Sequence, residues 1–278
     1  MDVPKSLIGL ASHFIGECFD CGKPLLDNEV KQTPPVTRFI TAQLYIDNVL
    51  TGESILILLE QGNFWDAEIL LRTVVEGSLK FIYILEDQDC AEKRAKEFFH
   101  VLTGYSSIKR SNRLESMTNK IEFLEKDSKI LNEIIISRDE QELFRKDTNK
   151  ADRKSLENKW SFHGLLQHFS KSEDERYRLF EHLSYQYGMA SHLTHKDGDA
   201  MGLVWERSQR SAEERKAVNT SQTARIISDL CQLSKWRLHF LFKSQSHSLE
   251  PIEKLNDKYK ALFDDLKDLN NFNPDDFT

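Results

Sequence analysis

The sequence predicts an all-α fold, a helical bundle of about seven to nine helices with a charged helical insertion. Three observations lead there. Apolar residues recur at three- and four-residue spacing through most of the chain, as a helix face requires. No stretch alternates apolar and polar residues over strand length between turn signals. The 278 residues include only 11 Gly and 6 Pro, and sheet-containing folds of this size need more turn punctuation than that.

In order along the chain, residues 5–20 read as a short amphipathic helix with Leu7, Leu10, Phe14 and Phe19 near one face. A polar loop closes at Pro34-Pro35. Thr37 is placed to cap the next helix, which runs to about Gln61 and stops at Gly62. Asn63 is placed to cap a third helix, with Asp66 and Glu68 in its first turn, where the helix dipole favours negative charge. This helix breaks at Glu86-Asp87. A fourth covers residues 90–110. Residues 114–160 are charge-rich but keep apolar residues at helical spacing, among them Ile121, Leu124, Ile130, Leu131 and Leu143; they read as solvated helices, an arm or a lid. A short aromatic segment at 161–170, a helix over 173–195, a Gly-containing loop at 196–204 and helices over 211–243 and 250–268 complete the chain. The domain reading is an N-terminal helix and loop (1–35), a bundle core (36–113 and 161–245), the charged insertion (114–160) and a C-terminal helix with an acidic tail (246–278).

Charge and composition exclude several classes. A formal net charge of −7 argues against sequence-blind wrapping of nucleic acid, which rests on phosphate neutralisation; it leaves room for a small basic cleft. The longest aliphatic run, Ile55-Leu56-Ile57-Leu58-Leu59, is far short of the ~20 residues of a spanning helix. The first residues lack the basic-then-apolar order of a signal peptide. Four Cys in such a chain make no disulfide framework, so a reducing, cytoplasmic location is expected. Cys18-x2-Cys21 resembles one knuckle of a zinc ribbon, but the second pair that closes a tetrahedral site is absent. There is no G-x-S-x-G, no phosphate loop and no H-E-x-x-H. The expectation is neither metal nor cofactor.

Two constellations remain. Arg72 and Glu76 are four residues apart, hence stacked on one face of the third helix. The plain reading is an exposed ion pair; against it, the flanks Ile69-Leu70-Leu71 and Val74-Val75 are apolar, so much of this helix is expected to be buried, and a buried Arg needs a carboxylate or an anion. Tyr187, Ser191 and His195 recur at four-residue steps and form a polar stripe drifting about 80° over two turns. Such a stripe can relay hydrogen bonds, and a His titrates near neutral pH as an acid–base catalyst must. The same residues also suit a buried polar network between packed helices.

The segment from Gly62 to Glu76, with Tyr187-x3-Ser191-x3-His195, resembles a family of uncharacterised bacterial helical proteins marked by an R-T-L-x-E-like helix and a later Y-x3-S-x3-H helix. The resemblance covers roughly residues 36–200 and implies a bundle that brings Arg72, Glu76, Tyr187, Ser191 and His195 near one another. That family is distantly similar to the HEPN bundles, many of which are dimeric, metal-independent ribonucleases of toxin–antitoxin and phage-defence systems. Their hallmark is an Arg and a following His with four to six residues between them. Arg94…His100 and Arg176…His182 fit that spacing, although the likeness rests on architecture.

Two functions follow as expectations. In the first the chain is an effector acting on RNA or nucleotides: His195 is the general acid or base, Arg72 meets phosphate, Glu76 orients Arg72, and Tyr187 and Ser191 position substrate. In the second it is a non-catalytic helical module that binds a protein partner. A homodimer fits either, and no membrane is involved.

Overall fold

A computed structural model describes residues 5–27, 33–118, 129, 131, 133–146, 150–174 and 177–270. Among these there are helices and no strand. The N-terminal amphipathic pattern forms α1 (Lys5–Gly22), followed by a 3-10 turn, Lys23–Leu26. Leu7 and Phe14 are buried as expected, whereas Leu10 faces outward.

The next two helices are α2 (Pro35–Glu60) and α3 (Phe64–Leu85). Between them Gly62 takes φ 77°, the left-handed conformation that glycine adopts without a Cβ penalty. Gly62 N–H then bonds to the Leu59 carbonyl at 3.0 Å, and Asn63 N–H to the Leu58 carbonyl at 2.8 Å. These two bonds form a Schellman closure, so α2 and α3 fold back on one another. Two expected caps are corrected. Pro35 opens α2, with its fixed φ suited to a first helical position, and Thr37 is buried inside the helix. Asn63 precedes α3 but makes no side-chain cap.

The helix count is also corrected: more than seven to nine occur among the described residues. Local stops divide segments that read as single helices. Asp87 accepts from the Asp89 and Cys90 amides and starts α4 (Gln88–Lys96). A π-helical turn, Glu97–Thr103, separates α4 from α5 (Gly104–Thr118). Ser137 and Glu140 form a reciprocal capping box at α6 (Arg138–Arg145). Then come α7 (Lys150–Lys159) and α8 (Phe162–Phe169), the latter capped by Ser161. The stripe-bearing helix is α9 (Arg178–His195). The expected loop at 196–204 is instead the start of α10 (Gly198–Gln209), capped by Asp197. A second capping box, Ser211 with Glu214, opens α11 (Ala212–Ser244). The C-terminal pattern breaks at Tyr259 into α12 (Glu250–Lys258) and α13 (Lys260–Asn270). Ile121, Leu124, Ile130, Arg176 and the tail beyond residue 270 lie outside the described residues.

Helix α3 is central. It packs along α2 and against α11, α9, α4 and α8. Its all-apolar stretch Phe81-Ile82-Tyr83-Ile84-Leu85 is buried, as expected of a helix covered on every side. A small separate cluster joins the insertion to α5: Tyr105 and Ile108 pack with Ile136, Phe144 and Leu156. No described helix is long and apolar enough to cross a membrane.

Candidate functional site

Arg72, Glu76 and Lys80 follow one another at four-residue steps along α3, so they form a charged ladder on one face. Helix α9 packs across that ladder and delivers Tyr187 to it. The Tyr187 hydroxyl accepts from Arg72 Nη2 at 3.2 Å and donates to Glu76 Oε2 at 3.2 Å. The Arg72 guanidinium carbon is 4.7 Å from the Tyr187 ring centroid, a cation–π distance. From α8, Phe162 stacks on Tyr187 with centroids 3.6 Å apart and planes within 6°. All three polar residues are half-buried.

Arg72 and Glu76 are therefore linked through a phenol. The direct stacked pair expected from their spacing is replaced by a bond from Lys80 Nζ to Glu76 Oε1 at 2.6 Å. Burial pushes the Glu76 carboxyl up, but Lys80, Tyr187 and Arg72 together outweigh it and leave the group below the usual range. Burial raises the Tyr187 phenol, and Glu76 adds to that against the opposing pull of Arg72. At neutral pH the site thus holds an anionic carboxylate, a neutral phenol and two cations.

The other two predicted residues lie further along α9. Ser191 is half-buried one turn beyond Tyr187. His195 is exposed on the last turn, about 12 Å along the axis from Tyr187. Among the described residues, no hydrogen bond links Tyr187, Ser191 and His195 into a relay. The imidazole next to the network is a different one: exposed His163 on α8, whose ring centroid is 6.4 Å from that of Tyr187. Lys80, Phe162 and His163 were missed in the sequence. Lys80 was legible, since it continues the four-residue ladder; the other two come from a distant segment with no pattern linking it to α3.

Two further polar networks were not foreseen. Glu86 accepts from Arg94 Nη1 at 2.8 Å and from the Tyr177 hydroxyl at 3.1 Å, and it pairs with His168 Nε2. Burial raises its carboxyl, yet His168 and Arg94 hold it below the usual range. Arg94, one of the residues with HEPN-like spacing, is thus committed to Glu86, and His100 at the end of that spacing is exposed. The signal for Glu86 was its place directly after a wholly apolar run. The second network surrounds Glu68, which is buried and binds Arg225 and Gln222 of α11; it does not serve as an exposed dipole partner in the first turn.

A set of groups suited to a cation lies at the α9–α10 junction. His192, Asp197 and Asp199 bring ligand atoms within 4.8 Å of one another. His192 Nδ1 already pairs with Asp197 Oδ2 at 2.6 Å, and all three are wholly or partly exposed. The Cys18 thiol is buried, and burial pushes it up to about 12, far from the thiolate that a zinc knuckle uses.

The fold and the site together define an all-helical bundle protein with an Arg–Tyr–Glu bridge between two helices far apart in sequence. The chain belongs to a family of unknown function, DUF5677, whose model matches residues 38–212. That span includes Arg72, Glu76, Tyr187, Ser191 and His195. No curated protein and no solved structure matches the chain.

Proposed function

We propose that this protein is an effector, HEPN-like in kind, that acts on RNA or nucleotides by metal-independent acid–base chemistry in phage defence or a toxin system. The observation that carries the reading is the Arg72–Tyr187–Glu76 bridge: a half-buried cation, a neutral phenol and a carboxylate held on one face by two helices. Cleavage of RNA without metal needs only an acid–base group and a cation, because the 2′-hydroxyl is the nucleophile. Arg72 serves as the cation that meets a phosphate. Glu76 holds Arg72 through the phenol, and Tyr187 and Ser191 position the substrate. His195, exposed on the same helix, transfers the proton on a strand laid along α9; His163 is the competing acid–base group, since it lies nearer the bridge.

The test is incubation of the purified protein with labelled RNA in excess chelator, beside His195→Ala and His163→Ala. The reading expects cleavage by the wild type and its loss in one of the two variants. Wild-type protein that leaves RNA and nucleotides intact and does not inhibit growth on expression would remove it.

The second reading, a protein-interaction module, draws on a different observation. Phe39, Ile46, Leu50 and Ile57 of α2 are all more than 40% exposed. Their spacing of seven, four and seven residues puts them within about 40° on one helix face. An apolar stripe of this length is a typical seat for another helix.

A further inference from the structure

Two adjoining hollows, of about 430 and 350 Å³, lie between the α2–α3 turn, the end of α10 and the start of α11. They share Gly62, Phe64, Arg215 and Asn219 as lining, so they form one groove. Its charge opposes that of the chain. Among the described residues, Lys5, Arg207, Arg210, Arg215 and Lys216 line it against one carboxylate, Glu60, in a protein of formal net charge −7.

The cations differ in how far they are already used. Lys5 pairs with Glu60 at 3.3 Å, and Arg210 Nε with Glu206 at 2.7 Å. Arg215 spends Nη1 on the Arg210 carbonyl at 2.7 Å and binds no carboxylate among the described residues. Arg207 lies 4.0 Å over the Trp65 ring and donates to the neutral Gln222 at 2.7 Å. Among the described residues neither Arg207 nor Arg215 makes an ion pair, so both present positive charge to the groove, Arg207 within the field of Glu68 and Glu206. The half-buried ring of Phe64 supplies an aromatic wall at the point where the hollows meet. Cations that track a phosphate and aromatic or guanidinium planes that stack a base are what a nucleotide unit requires.

We propose that this groove binds a nucleoside phosphate, with its phosphate on Arg215 and Arg207 and its base against Phe64. The assignment rests on the reading that the chain acts on RNA or nucleotides, and it adds a binding site separate from Tyr187. The unit can come from a free nucleotide or from single-stranded RNA, and the test distinguishes them.

The test uses the full chain and two probes, ATP by calorimetry and a fluorescein-labelled oligoadenylate by anisotropy, each over a salt series. At least one probe should bind, with affinity falling as salt rises. Arg215→Glu should weaken binding roughly tenfold or more, because it replaces a phosphate contact by a repulsive charge. Hydrogen exchange on the wild type needs no variant and should show protection over 204–220 when the probe is bound. Binding of ATP alone assigns the groove to free nucleotides; binding of the oligoadenylate alone assigns it to RNA. Failure of both probes to bind, or protection elsewhere with affinity indifferent to Arg215→Glu, would overturn the site. A protein that binds at the groove but cleaves nothing keeps the site and loses the effector reading; one that cleaves without groove protection does the reverse.

Discussion

The Tyr187 hydroxyl accepts from Arg72 at 3.2 Å and donates to Glu76 at 3.2 Å across the α3–α9 interface, so a phenol from α9 joins two charged residues of α3 that are not paired directly. Tyr187→Phe keeps the ring on Phe162 and removes only the hydroxyl. It should cost about 1–2 kcal/mol, the price of leaving half-buried polar groups without a partner. Chemical denaturation of wild type and variant measures it; a change within experimental scatter would show that the bridge contributes nothing to the fold.

Two glutamates, Glu76 in the middle of α3 and Glu86 just past its last residue, should respond differently to truncation. Glu86 is the carboxylate of the buried Arg94, whereas Glu76 is a third exposed and answers mainly to Lys80. Glu86→Ala should therefore cost about 3 kcal/mol, since it leaves the buried Arg94 guanidinium with only the more distant Asp87 carboxylate, 4.0 Å away. Glu76→Ala should cost less, about 1–2 kcal/mol, because Lys80 and the Tyr187 hydroxyl keep some access to water. Equal losses in urea melts would contradict this ranking.

These networks also show what the sequence did and did not make legible. Helical periodicity, the stop at Gly62 and the break at Asp87 were readable because each is local: a spacing, a positive φ, a cap. Arg72, Glu76 and Tyr187 were readable as candidates because polar residues at four-residue steps inside apolar helices demand partners. Their actual pairing was not, because spacing within α3 says nothing about a phenol arriving from α9. The start of α10 was missed because Gly198 and Gly202 read as loop; the Asp197 cap outweighs them. Glu68 was assigned to the helix dipole because its partner, Arg225, lies 157 residues away.

Asp229 makes stability depend on pH. Burial pushes its carboxyl up to about 6, against the lowering pull of Arg225, which Glu68 already engages. A carboxyl raised on folding contributes stability that is fully present below its unfolded value near 4 and is lost as pH rises through 6. Over that window the group should cost the fold up to about 3 kcal/mol. Asp229→Asn should flatten the curve between pH 4 and 7. A variant whose melting temperature falls as steeply as that of the wild type across this window would disprove the assignment.

The cysteines should separate by burial. Cys18 and Cys231 are buried, and Cys18 is pushed up to about 12, whereas Cys21 and Cys90 are partly exposed. A thiol reagent at pH 8 should label Cys21 and Cys90 first and reach the other two only on unfolding. Mass spectrometry of the labelled peptides gives the order; early labelling of Cys18 would mean that α1 opens.

The effector reading is tested most directly by the products of one RNA. A single-stranded oligoribonucleotide and its all-deoxy counterpart are incubated with wild-type protein and with Arg72→Ala in excess chelator, and thermal melts are run on both proteins. The account predicts that the wild type cuts only the ribo-oligonucleotide and leaves a 2′,3′-cyclic phosphate, the product expected when the 2′-hydroxyl attacks. Arg72→Ala should slow cleavage by about a hundredfold or more, as loss of a charge-stabilising group does, with a melting temperature within a few degrees of wild type. Intact RNA with the wild type, equal cutting of the deoxy strand, or an Arg72→Ala protein that cleaves as fast would contradict it.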